Sequence, residues 1–147
     1  MTREGALELV PIDLSPDAHG NTGVPYATTF DSGEPGPHLM ISALVHGNEV
    51  CGAHALVYLL ESDVRPQRGK LTLAFMNVAA YHAFDTGTPN ASRCLDEDFN
   101  RLWSIEVLEG NGESRELARA RTGARSRPRR AAAYRRRCRA RPRGTDA

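Results

Sequence analysis

The sequence predicts an α/β fold built on parallel strands, and three observations carry that expectation. Residues 38–45 form a nearly unbroken apolar run after a series of turn residues. Residues 50–61 carry apolar side chains at helical spacing, and residues 70–77 form a second apolar run. A strand, a helix and a strand in that order make a right-handed βαβ unit, because parallel neighbours need a crossover of about a dozen residues or more.

The elements follow in order. Residues 7–12 and 24–30 are short apolar or β-branched runs separated by Asp, Gly, Asn and Pro, so early strands and turns are expected there. Residues 31–37 read as a turn-rich linker. The run at 38–45 then reads as a buried strand, since it does not alternate with polar residues. In the next segment Val50, Ala53, Leu56, Val57 and Leu60 fall on one helical stripe. Arg65, Pro66 and Gly69 break that pattern before the second strand, expected at 70–77. This order puts His46 and Glu49 at the carboxyl end of the first strand, where open α/β sheets form their ligand crevices. Asn77 occupies the equivalent end of the next strand, followed by a loop through Asp85 and Asn90, so both ends converge on one rim.

At 147 residues, 40% hydrophobic and 25% charged, the chain has the composition of one globular domain. No stretch approaches the roughly 20 apolar residues of a membrane span, so no membrane partner is expected. The N-terminus lacks a basic start followed by an apolar block, and no signal peptide is expected. Cys51, Cys94 and Cys138 are an odd set without close spacing, which argues against a disulfide framework and points to a reducing cytoplasm.

The near-neutral total charge hides a split. Residues 1–118 carry 17 acidic and 7 basic side chains, whereas residues 119–147 carry 12 arginines and the single acid Asp146. The second segment has no Leu, Ile, Val, Phe or Met, too little apolar surface to offset the entropy of ordering, and is expected to be a disordered tail. Its Arg, Ala, Pro and Gly are residues that G- and C-rich codons spell in any frame. An out-of-frame reading beginning between Ala118 and Thr122 is the expectation that follows. The segment from Ser114 to Ala120 looks like the start of a helix.

Two motifs carry chemistry. The first is His46-Gly47-Asn48-Glu49. A histidine and a glutamate three apart reach one divalent ion when the turn between them is tight, which the freedom of Gly47 permits. Catalytic zinc commonly takes two histidines and a carboxylate and leaves one position open. Taken alone, the motif equally fits a hydrogen-bonded histidine at a strand end and a glutamate favoured by the dipole of a helix start. The second motif comprises Arg93 and, seven residues on, Asn100 within Asp98-Phe99-Asn100-Arg101. Arg101 has the fork geometry for bidentate binding of a substrate carboxylate, Asn100 adds a directional hydrogen bond, and Arg93 suits a developing oxyanion. The same acidic run with its arginines also fits a solvated loop with weak ion pairs. His38, His54 and His82 lack a ligand partner at useful spacing, and Cys51 and Cys94 read as packing residues.

Taken together, the His-Gly-Asn-Glu segment after a strand, Arg93, and Asp-Phe-Asn-Arg resemble the succinylglutamate desuccinylase/aspartoacylase family, a branch of the zinc carboxypeptidase-like hydrolases. The resemblance covers about residues 36–121. It implies a zinc carboxypeptidase-like mixed sheet flanked by helices, here its N-terminal part over residues 1–118, with the basic tail at 119–147. It further implies Zn2+ held by His46 and Glu49, a carbonyl polarised by Arg93, a substrate carboxylate bound by Asn100 and Arg101, and a supporting role for Asp98. The implied substrate is an N-acyl amino acid or similar small carboxylate, hydrolysed at its amide bond. The family also uses a third zinc ligand, a histidine in an Asp-Leu-His segment, and a later glutamate base. The last histidine here is His82. The expectation is therefore a chain truncated or frameshifted after about residue 120 and inactive as written.

Two other readings compete. A metallocarboxypeptidase acting on peptides uses the same metal and carboxylate-binding arginine. A non-catalytic fragment whose arginine-rich arm binds nucleic acid is the reading of another class. Against it, the arm has no aromatic residue besides Tyr134 and abuts an acidic domain, so nucleic acid is not an expected partner.

Overall fold

The computed structural model describes residues 10–124. Its centre is a three-stranded mixed sheet of β1 (Ala27–Asp31), β2 (His38–Ala43) and β3 (Lys70–Phe75) in the order β1-β3-β2. Helix α1 (Val50–Glu61) connects β2 to β3, which run parallel with His38 opposite Lys70 and Ala43 opposite Phe75. The expected βαβ unit is therefore present, and its helix has the expected bounds. Strand β1 pairs antiparallel with the other side of β3. Helices α2 (Val78–His82), α3 (Ile105–Leu108) and α4 (Arg115–Ala124) follow.

β3 is paired along both edges, and both of its faces are covered. Leu71, Leu73 and Phe75 pack with Val50, Ala53 and Leu56 of α1 and with Leu14 and Tyr81. On the opposite face Ala74 and Met76 pack with Phe99, Leu102, and Leu117 and Ala120 of α4. Each fully buried large apolar side chain contributes about 1.5–3 kcal/mol, so the two clusters fix the carboxyl end of the sheet from above and below.

Both expected strands end early, for a local reason. Leu44 adopts φ +60°, in the left-handed region, and this turns the chain out of β2. Beyond Phe75, Met76 and Asn77 still donate backbone N–H groups to Ala43 and Leu44, but the Asn77 side chain already caps α2 by accepting from Ala80. β2 also differs from the buried strand read from its unbroken apolar run. Its outer edge has no partner strand among the described residues, and Leu39 and Ile41 are 60% and 43% exposed. The expected strand at 24–30 appears as β1. Of residues 7–12, only 10–12 are described, and they lie in no regular element. Among the described residues no helix is long and apolar enough to cross a membrane.

The break expected between residues 118 and 119 falls inside α4. Ser114 caps this helix by accepting from the Leu117 amide at 3.0 Å. One turn later the Arg119 guanidinium donates to the carbonyls of Met76 (2.7 Å), Phe75 (2.7 Å) and Pro25 (2.9 Å). Ala120 is fully buried. Arginine content did not prevent ordering here because the guanidinium satisfies carbonyls at the ends of the sheet while the small residues face the core. Residues 125–147, most of the basic segment, lie outside the described residues. Replacing Arg119 by Ala should lower stability by about 3 kcal/mol, since it removes charge-assisted bonds and strands their acceptors. Urea unfolding measures this, and a loss below about 0.5 kcal/mol would mean that the second half of α4 is not docked.

Candidate functional site

The site begins where β2 ends. Left-handed backbone at a non-glycine residue costs about 1–3 kcal/mol, and Leu44 is held there by its buried side chain and by the Asn77 amide on its carbonyl at 2.8 Å. The turn delivers His46 into a buried position, 5% exposed. Gly47 then serves a purpose other than the one read from the sequence. Its φ is not in the left-handed region; what it provides is room. A Cβ at Gly47 would lie 2.3 Å from both the Ala80 carbonyl carbon and the Ser92 oxygen. That close approach lets the Gly47 amide donate to the Arg93 carbonyl at 3.1 Å, joining the first motif to the second.

Glu49 sits just before α1 and does not use its side chain as a cap. Its carboxylate bends back instead, accepting from the His46 amide at 3.2 Å and placing Oε1 2.8 Å from His46 Nδ1. The other ring nitrogen, Nε2, lies 3.1 Å from Asp98 Oδ1. Asp98 also accepts from the Asn100 amide at 3.0 Å and has Arg93 Nη2 at 3.7 Å. The His46 contact first, then the Asn100 amide, and to a lesser degree Arg93, hold the Asp98 carboxyl below its ordinary range. Phe99 is fully buried and packs edge-on against Trp103 at 5.2 Å, so Asn100 and Arg101 are turned outward and exposed. Arg101 has no carboxylate partner among the described residues.

The structure thus brings together His46, Glu49, Asp98 and Arg93, with Asn100 and Arg101 on the adjoining turn. His38 bonds to Thr72 and His54 to the Val10 carbonyl, away from this group. Among the described residues, no group of three or more His, Cys, Asp or Glu is arranged to hold a metal. The pair His46 and Glu49 nevertheless has suitable donor chemistry. In the tautomer that carries its proton on Nε2, the ring donates to Asp98 and directs the Nδ1 lone pair at a carboxylate oxygen of Glu49, an arrangement that calls for a cation between them. The pair fits a divalent ion as two donors of an incomplete set.

Reading the sequence missed the residues that brace the second motif. Glu116, 1% exposed, accepts from the backbone amides of Leu95 (2.6 Å) and Asp96 (3.1 Å) and from Asn77 Nδ2 (3.4 Å). Arg115 donates its amide and side chain to Asp96 at 2.8 and 2.9 Å, and Ser114 bonds to Glu97. A signal was available: Glu116 lies beside Leu117 and four before Ala120, on the apolar stripe of the helix. The Arg115 side chain and then its amide draw the Asp96 carboxyl down to about 2. Burial pushes Glu116 up, but the amide donors outweigh it and leave the group below its ordinary value.

Two outcomes follow. Gly47→Ala should cost about 1–3 kcal/mol or more and loosen the union of the motifs, since backbone lies on the clashing side; urea unfolding with an NMR probe of the Arg93 segment checks both. Because Asp96 and Glu116 have depressed folded-state values, their contribution is present above the ordinary carboxylate range near pH 4 and is lost as pH falls towards about 2. Acid unfolding followed by circular dichroism should show less pH dependence in that window for Asp96→Asn than for the parent chain.

Comparison with known proteins bears on the same residues. A family model described as the succinylglutamate desuccinylase/aspartoacylase catalytic domain matches residues 35–137, a span that holds both motifs and continues into the arginine-rich segment. Neither the comparison with curated proteins nor that with solved structures gave a match. With the matched span covering well over half of the chain, and with both motifs folded onto one rim of the sheet, the protein belongs to the succinylglutamate desuccinylase/aspartoacylase catalytic-domain family of hydrolases.

Proposed function

We propose that the chain is a deacylase that hydrolyses the amide bond of an N-acyl amino acid or a similar small carboxylate, with Zn2+ held by His46 and Glu49. The observation that carries this reading is the His46 ring, fixed through Nε2 by Asp98 and facing Glu49 with Nδ1. A carboxylate on the far nitrogen of a metal-binding histidine fixes its tautomer and raises its basicity. When bound, zinc supplies Lewis acidity and a nucleophile usable near neutral pH.

The remaining roles belong to side chains on the same rim. Arg93, half-exposed and held near Asp98, stabilises the oxyanion that develops at the scissile carbonyl. Asn100 and Arg101, turned to solvent by the buried Phe99, bind the substrate carboxylate, and Arg101 is available for a bidentate pair. His46 and Glu49 supply two of the donors that a catalytic zinc takes, and no further histidine lies between residues 83 and 147.

Calorimetric zinc titration and substrate assays test the proposal together. One weak zinc site is expected, lost in His46→Ala and in Glu49→Gln. N-succinyl or N-acetyl amino acids should bind the zinc-loaded chain, and Arg101→Ala should weaken that binding about tenfold or more. Zinc binding unchanged in both ligand variants would sink the metal assignment. Hydrolysis of short peptides but not of acyl amino acids would favour a carboxypeptidase instead.

A further inference from the structure

We propose that Glu116 is a positioning residue for this site: from α4 its buried carboxylate sets the path of the Arg93–Arg101 loop and, through Asp98, the orientation of the His46 ring. The proposal rests on the deacylase reading for its catalytic meaning, but its geometry stands separately. Glu116 touches both halves of the site. On one side it accepts the consecutive amides of Leu95 and Asp96, two residues before Asp98. On the other it accepts from Asn77, whose own side chain accepts from the amide of Ala80, the residue packed against Gly47.

Two adjacent loop amides point the same way only if one acceptor group meets both, and the buried Glu116 carboxylate with its two oxygens does so. Only Glu97 separates the anchored Asp96 from Asp98, so a shift of the anchor is carried into the 3.1 Å contact between Asp98 and His46. Glu116→Gln keeps the size but turns one acceptor into an NH2 group facing amide donors. The chain must then move to relieve the clash of donors. Misplacement of reacting groups by about 1 Å costs up to about a hundredfold in function, so a modest movement is enough to be read.

The test is nitrogen NMR of the His46 ring in the full chain, combined with binding of N-succinylglutamate to the zinc-loaded protein. Val107→Ala serves as the control: it trims the same side of the core and removes none of the hydrogen bonds that Glu116 makes to Leu95, Asp96 and Asn77. In Glu116→Gln the Nε2 resonance of His46 should lose its carboxylate-bound position, and binding should weaken by about tenfold or more. Val107→Ala should change neither in its folded fraction. If the two variants behave alike in both readouts, Glu116 is a structural residue only and the proposal is overturned. Hydrogen exchange on the parent chain decides the matter should Glu116→Gln fail to fold. The Leu95 and Asp96 amides should then exchange as slowly as those within α4, whereas exchange as fast as the amide of the exposed Asn111 would refute the anchor. Failure of the parent chain to bind N-succinylglutamate would count against the deacylase reading, while the ring resonance would still decide the role of Glu116.

Discussion

The imidazole of His46 lies between two carboxylates, and most of what the fold does around it keeps those contacts in place. Glu49 is a neighbour in sequence, but Asp98 comes from 52 residues further along the chain. A single hydrogen bond of this kind contributes only about 1 kcal/mol net, or up to about 3 kcal/mol when charged. It cannot hold two loops together by itself. The loops are joined because the backbone at Gly47 approaches Ser92 and Ala80 closely enough to exclude any Cβ, and because its amide is bonded to Arg93. The side-chain contact reports a backbone arrangement made elsewhere.

That arrangement depends in turn on β3. A central strand with Leu71, Leu73 and Phe75 on one face and Ala74 on the other locks two layers to one register. Its end presents Asn77, which caps α2 with one side-chain atom and donates to Glu116 with another. Helix α4 closes the circuit: Leu117 and Ala120 pack on the lower core, while Ser114, Arg115 and Glu116 grip the three residues before Asp98. The candidate site and the lower core are therefore two sides of one packing unit.

Much of this was legible in the sequence wherever one periodicity dominated. The helix at residues 50–61 was legible because its apolar stripe is unambiguous and Pro66 and Gly69 follow it. The convergence of His46 with Asp98 was legible because strand ends of a parallel sheet share a rim. The rest was hidden by tertiary effects. An apolar run cannot tell a doubly covered strand from an edge strand, so Leu39 and Ile41 were expected inside. Composition made residues 119–124 look unable to order, because it does not count carbonyls waiting for a guanidinium. Gly47 was read for its backbone freedom when its missing side chain is what matters, a distinction that depends on Ala80 and Ser92, residues far away in sequence. Glu116 was overlooked because an acidic residue in a first helical turn has an ordinary explanation in the helix dipole.

The central claim is that the two motifs form one metal-binding hydrolytic site whose histidine is oriented by Asp98. Diffraction from zinc-soaked crystals, measured across the zinc absorption edge, tests it most directly. The account predicts an anomalous peak about 2 Å from His46 Nδ1 and from a Glu49 oxygen, with Asp98 still bonded to Nε2. A peak at Nε2 that displaces Asp98, or one found only at Cys51 or Cys94, would contradict it.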